Sequence, residues 1–229
     1  MTTIIKPVRA SGAALFDMDG TLIDSEPIWA QAIASCCEAA GLALTPELLD
    51  ACAGITTADG IRLVLEHNPG SKADPEELGK AIEHEVGEVL RQTPPLMLSA
   101  DTLLHELHRR RVPMALVSSS PRWLVQTVLE TLDWEPLFKV VLSTGEVGPG
   151  KPDPAVYTEA LRRLGADPER SWAVEDTLAG LQSARAAGLR VIAIPSYPSE
   201  RKAMRELADA TYGSLAEAVP CLLENFPER

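Results

Sequence analysis

The sequence contains no apolar run approaching the roughly 20 residues that a membrane-spanning helix needs, so no spanning segment and no membrane partner are expected. It has no excess of cations: the formal net charge is −12. A nucleic-acid or anionic-membrane surface requires Lys and Arg in surplus, so neither is an expected partner. The N-terminal "MTTIIKPVRASG" lacks an apolar stretch followed by a small-residue cleavage site, and no secretory leader is expected. The four cysteines, Cys36, Cys37, Cys52 and Cys221, have no metal-ligand spacing. They read as free thiols of a reducing compartment, which makes the cytoplasm the expected location. No histidine has the partners of a zinc site or of a serine nucleophile: His67 and His84 lie apart, and His105 and His108 read as one solvated helix face. The basic "HRRR", His108–Arg111, reads as a solvated helix end, where cations suit the dipole. Repeats and low-complexity segments are also missing.

What is present is an ordinary globular composition, 45% hydrophobic and 24% charged over 229 residues, long enough for a substantial core. Short β-like runs recur: "AALF" (13–16), "PMALVS" (113–118), "KVVLS" (139–143), "SWAVE" (171–175) and "RVIAI" (190–194). Between the later runs, "DTLLHELHRR", "RWLVQTVLETL", "AVYTEALRRLG" and "LAGLQSARAAG" carry apolar residues at three- and four-residue spacing, several ending in Gly. Strands alternating with such helices predict an α/β fold: a Rossmann-like parallel sheet with helices on both faces. The alternation fails once. From Pro27 to about Thr93 only helical patterns occur, with Pro27 opening the segment and Pro94-Pro95 closing it. The expected organisation is an α/β core of residues 1–26 and 95–229 interrupted by an inserted helical cap, 27–94.

Ligands of open α/β sheets bind outside the carboxyl ends of the strands. Those ends supply Asp17 and Asp19 after the first run, Ser118-Ser119-Ser120 after the second, Lys151 near the third, and Glu175-Asp176 after the fourth. In extended backbone Asp17 and Asp19 share a face, and Gly20 lets the chain turn away. Carboxylates gathered this closely either share protons or hold a cation. Mg²⁺ takes a few carboxylate or carbonyl oxygens and completes its shell with water and substrate phosphate. Lys151 offers a point charge to a phosphoryl group, and Ser118 a hydroxyl. Two aspartates allow labour to be divided: one attacks phosphorus, while the other protonates the leaving oxygen and then activates water. A closing cap would exclude bulk water.

Three plainer readings compete. "DG" is a common turn dipeptide, but the polar residues at three later strand ends argue against a mere turn. A calcium-binding loop that opens D-x-D needs a third ligand and then Gly, and this chain has Thr21 and Leu22. "GEVGPGKP" fits a nucleotide phosphate loop only up to Pro152, which stands where a hydroxyl should bind the metal. Trp29 reads as core of the helical segment, and Thr56 and Thr57 fit either core or cleft.

"DMDGTL", "VSSS", "GKPDP" and "VEDT", in that order and spanning nearly the whole chain, resemble the four motifs of the haloacid dehalogenase-like hydrolase superfamily. The likeness is greatest to its helical-cap, β-phosphoglucomutase-like subgroup, and within it to bacterial hexitol-phosphate and 2-deoxyglucose-6-phosphate phosphatases. The resemblance implies Asp17 as nucleophile and Asp19 as general acid/base. It implies Ser118, Ser119 and Lys151 as phosphate ligands, and Mg²⁺ held by Asp17, Asp176 and the backbone carbonyl of Asp19, with Glu175 in support. The implied activity is phosphomonoester hydrolysis of a small phosphorylated sugar or polyol through an aspartyl-phosphate, by a monomer or weak homodimer. A phosphosugar mutase and a phosphoglycolate-type phosphatase are the alternatives. The mutases carry a histidine and an arginine where this chain has Trp29 and Thr57, which argues for hydrolysis.

Overall fold

The computed structural model describes residues 12–228. Residues 1–11, assigned above to the core, and residue 229 lie outside the described residues. Six strands form one parallel sheet: β1 (Ala14–Phe16), β2 (Met114–Ser118), β3 (Val140–Ser143), β4 (Trp172–Glu175), β5 (Arg190–Ala193) and β6 (Ala210–Thr211). Their order is β3-β2-β1-β4-β5-β6. The chain thus builds outward from β1 in one direction and then returns to continue in the other. That reversal opens a crevice at the carboxyl end of β1, the position where such sheets take ligands.

The strand sequences are nearly continuous apolar runs because both faces are covered. Ala14, Phe16, Met114, Leu116, Trp172 and Val174 face one apolar cluster. Ala13, Leu15, Ala115, Val117, Ala173 and Val191 face the other. Adjacent residues therefore alternate between two cores, as a pleated strand requires.

Five helices lie between β1 and β2, and the first four form the insert: α1 (Glu26–Ala39), α2 (Pro46–Ala51), α3 (Thr57–His67) and α4 (Pro75–Gln92). Side chains cap three of their starts, from Thr45, Thr56 and Asp74. The core helices are α5 (Ala100–Arg109), α6 (Arg122–Thr131), α7 (Ala155–Leu164), α8 (Leu178–Ala186), α9 (Arg201–Leu207) and α10 (Leu215–Asn225). The two chain passages joining the insert to the sheet run side by side: Asp24 N–H donates to the Pro95 carbonyl at 2.7 Å and Met97 N–H to that of Leu22 at 3.0 Å. The first apolar cluster continues into the insert through Ile61, Ile82, Val86 and Leu90. Gly87 permits this contact, since a Cβ there would lie 2.7 Å from the Trp123 ring.

The basic "HRRR" closes α5 as the expected solvated helix end, with His108, Arg109 and Arg111 exposed, and only Arg110 departs from it. Arg110 is 15% exposed and donates to the carbonyls of Leu223 and Phe226 at 2.8 and 3.0 Å. It fixes the last turn of α10, whose carbonyls have no partner within the helix.

Candidate active site

Asp17 follows the last residue of β1, its N–H bonded to the Val174 carbonyl at 3.1 Å. It therefore projects from the centre of the sheet at the crevice. Lys151 Nζ reaches it from the loop after β3, donating to Asp17 Oδ1 at 2.6 Å, Glu175 Oε1 at 2.7 Å and the Val117 carbonyl at 3.3 Å. The lysine side chain is 1% exposed, so its charge acts in a region that water does not screen. Burial alone would lower its pKa, but the Asp17 and Glu175 carboxylates reverse that and hold it well above the ordinary value. Tyr157, on α7, donates its hydroxyl to the same Glu175 oxygen and lays its ring 5.5 Å from Nζ. Tyr157 thus braces Glu175 and Lys151 together. Nothing in "AVYTEALRRLG" distinguishes it from a core position.

Asp17, Glu175 and Asp176 each present an oxygen within 4.8 Å of the others, all buried. Burial pushes the Asp17 and Asp176 carboxyls well above the usual range. Lys151 opposes this at Asp17, whereas Glu175 and Asp19 add to it. Among the described residues, three carboxylates face one ammonium, and Glu175 Oε2 and Asp176 Oδ2 have no hydrogen-bond partner. Buried anionic oxygens without donors are costly unless a cation neutralises them. The donor set, all hard oxygens, fits Mg²⁺ or a similar divalent ion. Gly20 leaves room for it: with φ +74°, a Cβ there would stand 2.0 Å from Asp176 Oδ2.

Asp19 lies two residues on, on the same cavity as Asp17. Four donors converge on it. Ser25 Oγ and Trp29 Nε1 reach Oδ1 at 2.6 and 3.1 Å, and Ser118 Oγ and Ser120 Oγ reach Oδ2 at 3.2 and 2.7 Å. Trp29, expected as insert core, packs against the apolar cluster yet also lines the cavity. Ser118 is fully buried and receives the Ser120 N–H on its hydroxyl. Ser119 points instead to the insert, donating to the Gly54 carbonyl at 2.9 Å. Asp17, Asp19, Ser118, Lys151, Glu175 and Asp176 are therefore assembled at one place, while Ser119 joins that place to the insert.

The cavity, about 120 Å³, lies between the strand ends and the inserted helices. Asp17, Asp19, Ser119 and Ser120 form one wall, with Thr56 and Thr57 among the insert residues opposite. Thr56 also caps α3, accepting the Asp59 N–H at 3.1 Å.

A parallel α/β sheet with buried carboxylates and a lysine at its switch point has the form of a ligand-binding α/β protein, with its candidate site at the carboxyl end of β1. Residues 14–194 match the family model described as haloacid dehalogenase-like hydrolase, and the chain belongs to that family. It is 30% identical over 199 residues to a phosphorylated carbohydrates phosphatase of Thermotoga maritima, covering 85% of this chain and 90% of the relative. It is 28% identical over 207 residues to hexitol phosphatase B of Escherichia coli, covering 90% and 93%. The crystal structure of CbbY from Rhodobacter sphaeroides in complex with phosphate is similar throughout, with TM-score 0.79, 27% identity, and 91% and 96% coverage.

Proposed function

We propose that the protein is a Mg²⁺-dependent phosphomonoesterase that acts on a small phosphorylated sugar or polyol through an aspartyl-phosphate. One observation carries the reading: Lys151 lies between Asp17 and Glu175, beside an Asp176 oxygen that has no donor. This arrangement supports a reading with one cation among the carboxylates and one phosphoryl group at Asp17. The names of the carbohydrate and hexitol phosphatases support the substrate class.

In this reading the Asp17 and Asp176 side chains and the Asp19 carbonyl would hold the metal, with Glu175 positioning Lys151. The bound ion would neutralise negative charge on the phosphoryl oxygens. Asp17, its Oδ1 held by Lys151, attacks phosphorus with its other oxygen, and the bond from phosphorus to the ester oxygen breaks. Asp19 delivers a proton to that departing oxygen. It then takes one from a water that attacks the aspartyl-phosphate, releasing phosphate and restoring Asp17. Lys151 and the serine hydroxyls stabilise the equatorial oxygens. Residues 27–94 act as a cap that excludes bulk water, with cleft-facing residues reading the alcohol. The cytoplasm, as a reducing and metabolite-rich compartment, suits the four free cysteines.

The test is phosphate release from a panel of sugar, polyol, glycolate and nucleotide monophosphates, with Mg²⁺ and with chelator. Sugar or polyol esters should lead the panel, and chelation should abolish turnover. Turnover that survives chelation contradicts the metal role, and a leading nucleotide or glycolate ester contradicts the substrate class.

A further inference from the structure

The cavity beside Asp19 has an uneven lining. Its far wall, within the insert, is apolar: Ile33, Leu49, Ile61, Val64, Leu78 and Ile82. No Lys, Arg or His lines it among the described residues, whereas Glu26 and Asp50 do. Glu26 opens α1, and its Oε2 accepts the hydroxyl of Tyr197, which lies in the loop beyond β5. The pair spans the insert and the sheet side of the cavity, and both members line it. Tyr197 holds one carboxylate oxygen and leaves Oε1 for a ligand.

We propose that this cavity is a leaving-group pocket for an alcohol with no second negative charge and one apolar face, and that Glu26, braced by Tyr197, is the specificity-determining residue that accepts a hydrogen bond from a hydroxyl of that alcohol. The inference rests on the phosphatase reading. Its physical basis is charge and polarity. A second phosphate or a carboxylate on the leaving group would meet half-buried Glu26, where screening is weakened, and exposed Asp50, with no described cation in the lining to pair it. The C–H face of a sugar, cyclitol or polyol suits the aliphatic wall and the Trp29 ring, while its hydroxyls need acceptors. Glu26 supplies one, partly desolvated by its surroundings. Burial raises its pKa to about 7, with Tyr197 opposing the shift and Asp19, Asp24 and Glu200 adding to it. A donor on the ligand favours the ionised form.

The experiment uses the full-length enzyme with Mg²⁺ and four esters: a hexitol monophosphate, a hexitol bisphosphate, phosphoglycolate and p-nitrophenyl phosphate. Wild type is compared with Glu26→Gln, Tyr197→Phe and the surface control Glu76→Gln. In wild type, kcat/KM for the hexitol monophosphate should exceed that for the bisphosphate and for phosphoglycolate at least ~10-fold, as an unpaired second anion dictates. Glu26→Gln should lower the ratio of hexitol monophosphate to p-nitrophenyl phosphate kcat/KM about 10-fold, mostly through KM. Tyr197→Phe should move it the same way by less, and Glu76→Gln should leave all four rates as in wild type. Preference for either anionic substrate overturns the pocket, as does an unchanged ratio in both Glu26→Gln and Tyr197→Phe. Failure to hydrolyse p-nitrophenyl phosphate or any other ester overturns the phosphatase reading itself. The wild-type panel decides the charge rule even where a variant does not fold.

Discussion

Trp29 and Asp19 are joined across the boundary between the inserted helices and the sheet, the indole N–H donating to Asp19 Oδ1 at 3.1 Å. Indole donates and never accepts, so this bond gives Asp19 an acceptor's role on that oxygen. It also ties the group proposed to carry the proton to the first helix of the insert. Trp29→Phe keeps the apolar bulk and removes the donor. Hydrogen bonds to charged groups contribute ~1.5–3 kcal/mol to stability, so the thermal midpoint should fall by about 3–12 °C, and with Asp19 less firmly held kcat should fall about 10-fold. Steady-state kinetics beside a melting curve checks this, and an unchanged kcat contradicts it.

Among the described residues, Lys151 is the one ammonium beside three buried carboxylates. Lys151→Met should cost about 3–5 kcal/mol of folding stability, the range for breaking a buried ion pair. Urea unfolding in metal-free buffer measures that loss. Because the variant leaves more uncompensated negative charge, added Mg²⁺ should raise its melting temperature more than it raises that of wild type. Equal shifts in the two proteins would speak against a shared electrostatic site.

Glu26 gives a pH signature with a definite sign. Its carboxyl is raised from 4.5 to about 7 in the fold, first by burial. The native state therefore binds more protons than the unfolded chain between those values. The stability linked to this proton is fully present below about pH 4.5 and lost as pH rises through about 7. In metal-free buffer, Glu26→Gln should flatten the decline in unfolding free energy across that window. An identical slope in the variant would refute the assignment.

Gly54 brings the insert down onto the sheet. Its φ is +68°, a Cβ there would stand 2.6 Å from Thr177 Oγ1, and its carbonyl accepts the Ser119 hydroxyl. Gly54→Ala meets both the conformational penalty of ~1–2 kcal/mol and the Thr177 clash. KM should rise several-fold while the sheet core stays folded by circular dichroism. Wild-type KM in this variant would show that the contact has no part in substrate retention.

Much of this site is legible in the sequence because its residues fall at strand ends. Asp17, Ser118, Glu175 and Asp176 each end or follow an apolar run, and Lys151 follows a run with glycines around it. The five longer strands are legible for the same reason, since burial on both faces leaves uninterrupted Val, Leu and Ala. The rest depends on contacts that periodicity does not encode. β6 is two residues long, too short to show a pattern, and nothing distinguishes it or the helices around it from a tail. Tyr157 fits the apolar stripe of α7 as any core residue would, yet its hydroxyl ends on Glu175. Glu26 and Tyr197 are separated by 171 positions, and Arg110 meets α10 across 113 and 116. Trp29 shows why helix period alone misleads: it packs on the apolar cluster with its ring and reaches Asp19 with its one polar atom.

Asp17 is the residue proposed to take the phosphoryl group. That role is tested most directly by phosphate release from a hexitol monophosphate with Mg²⁺, in wild type and Asp17→Asn, beside intact-protein mass spectrometry of acid-quenched wild type. Release is expected from wild type alone, with a transient mass gain of one phosphoryl group and no gain in Asp17→Asn. Sustained release by a folded Asp17→Asn protein would contradict it.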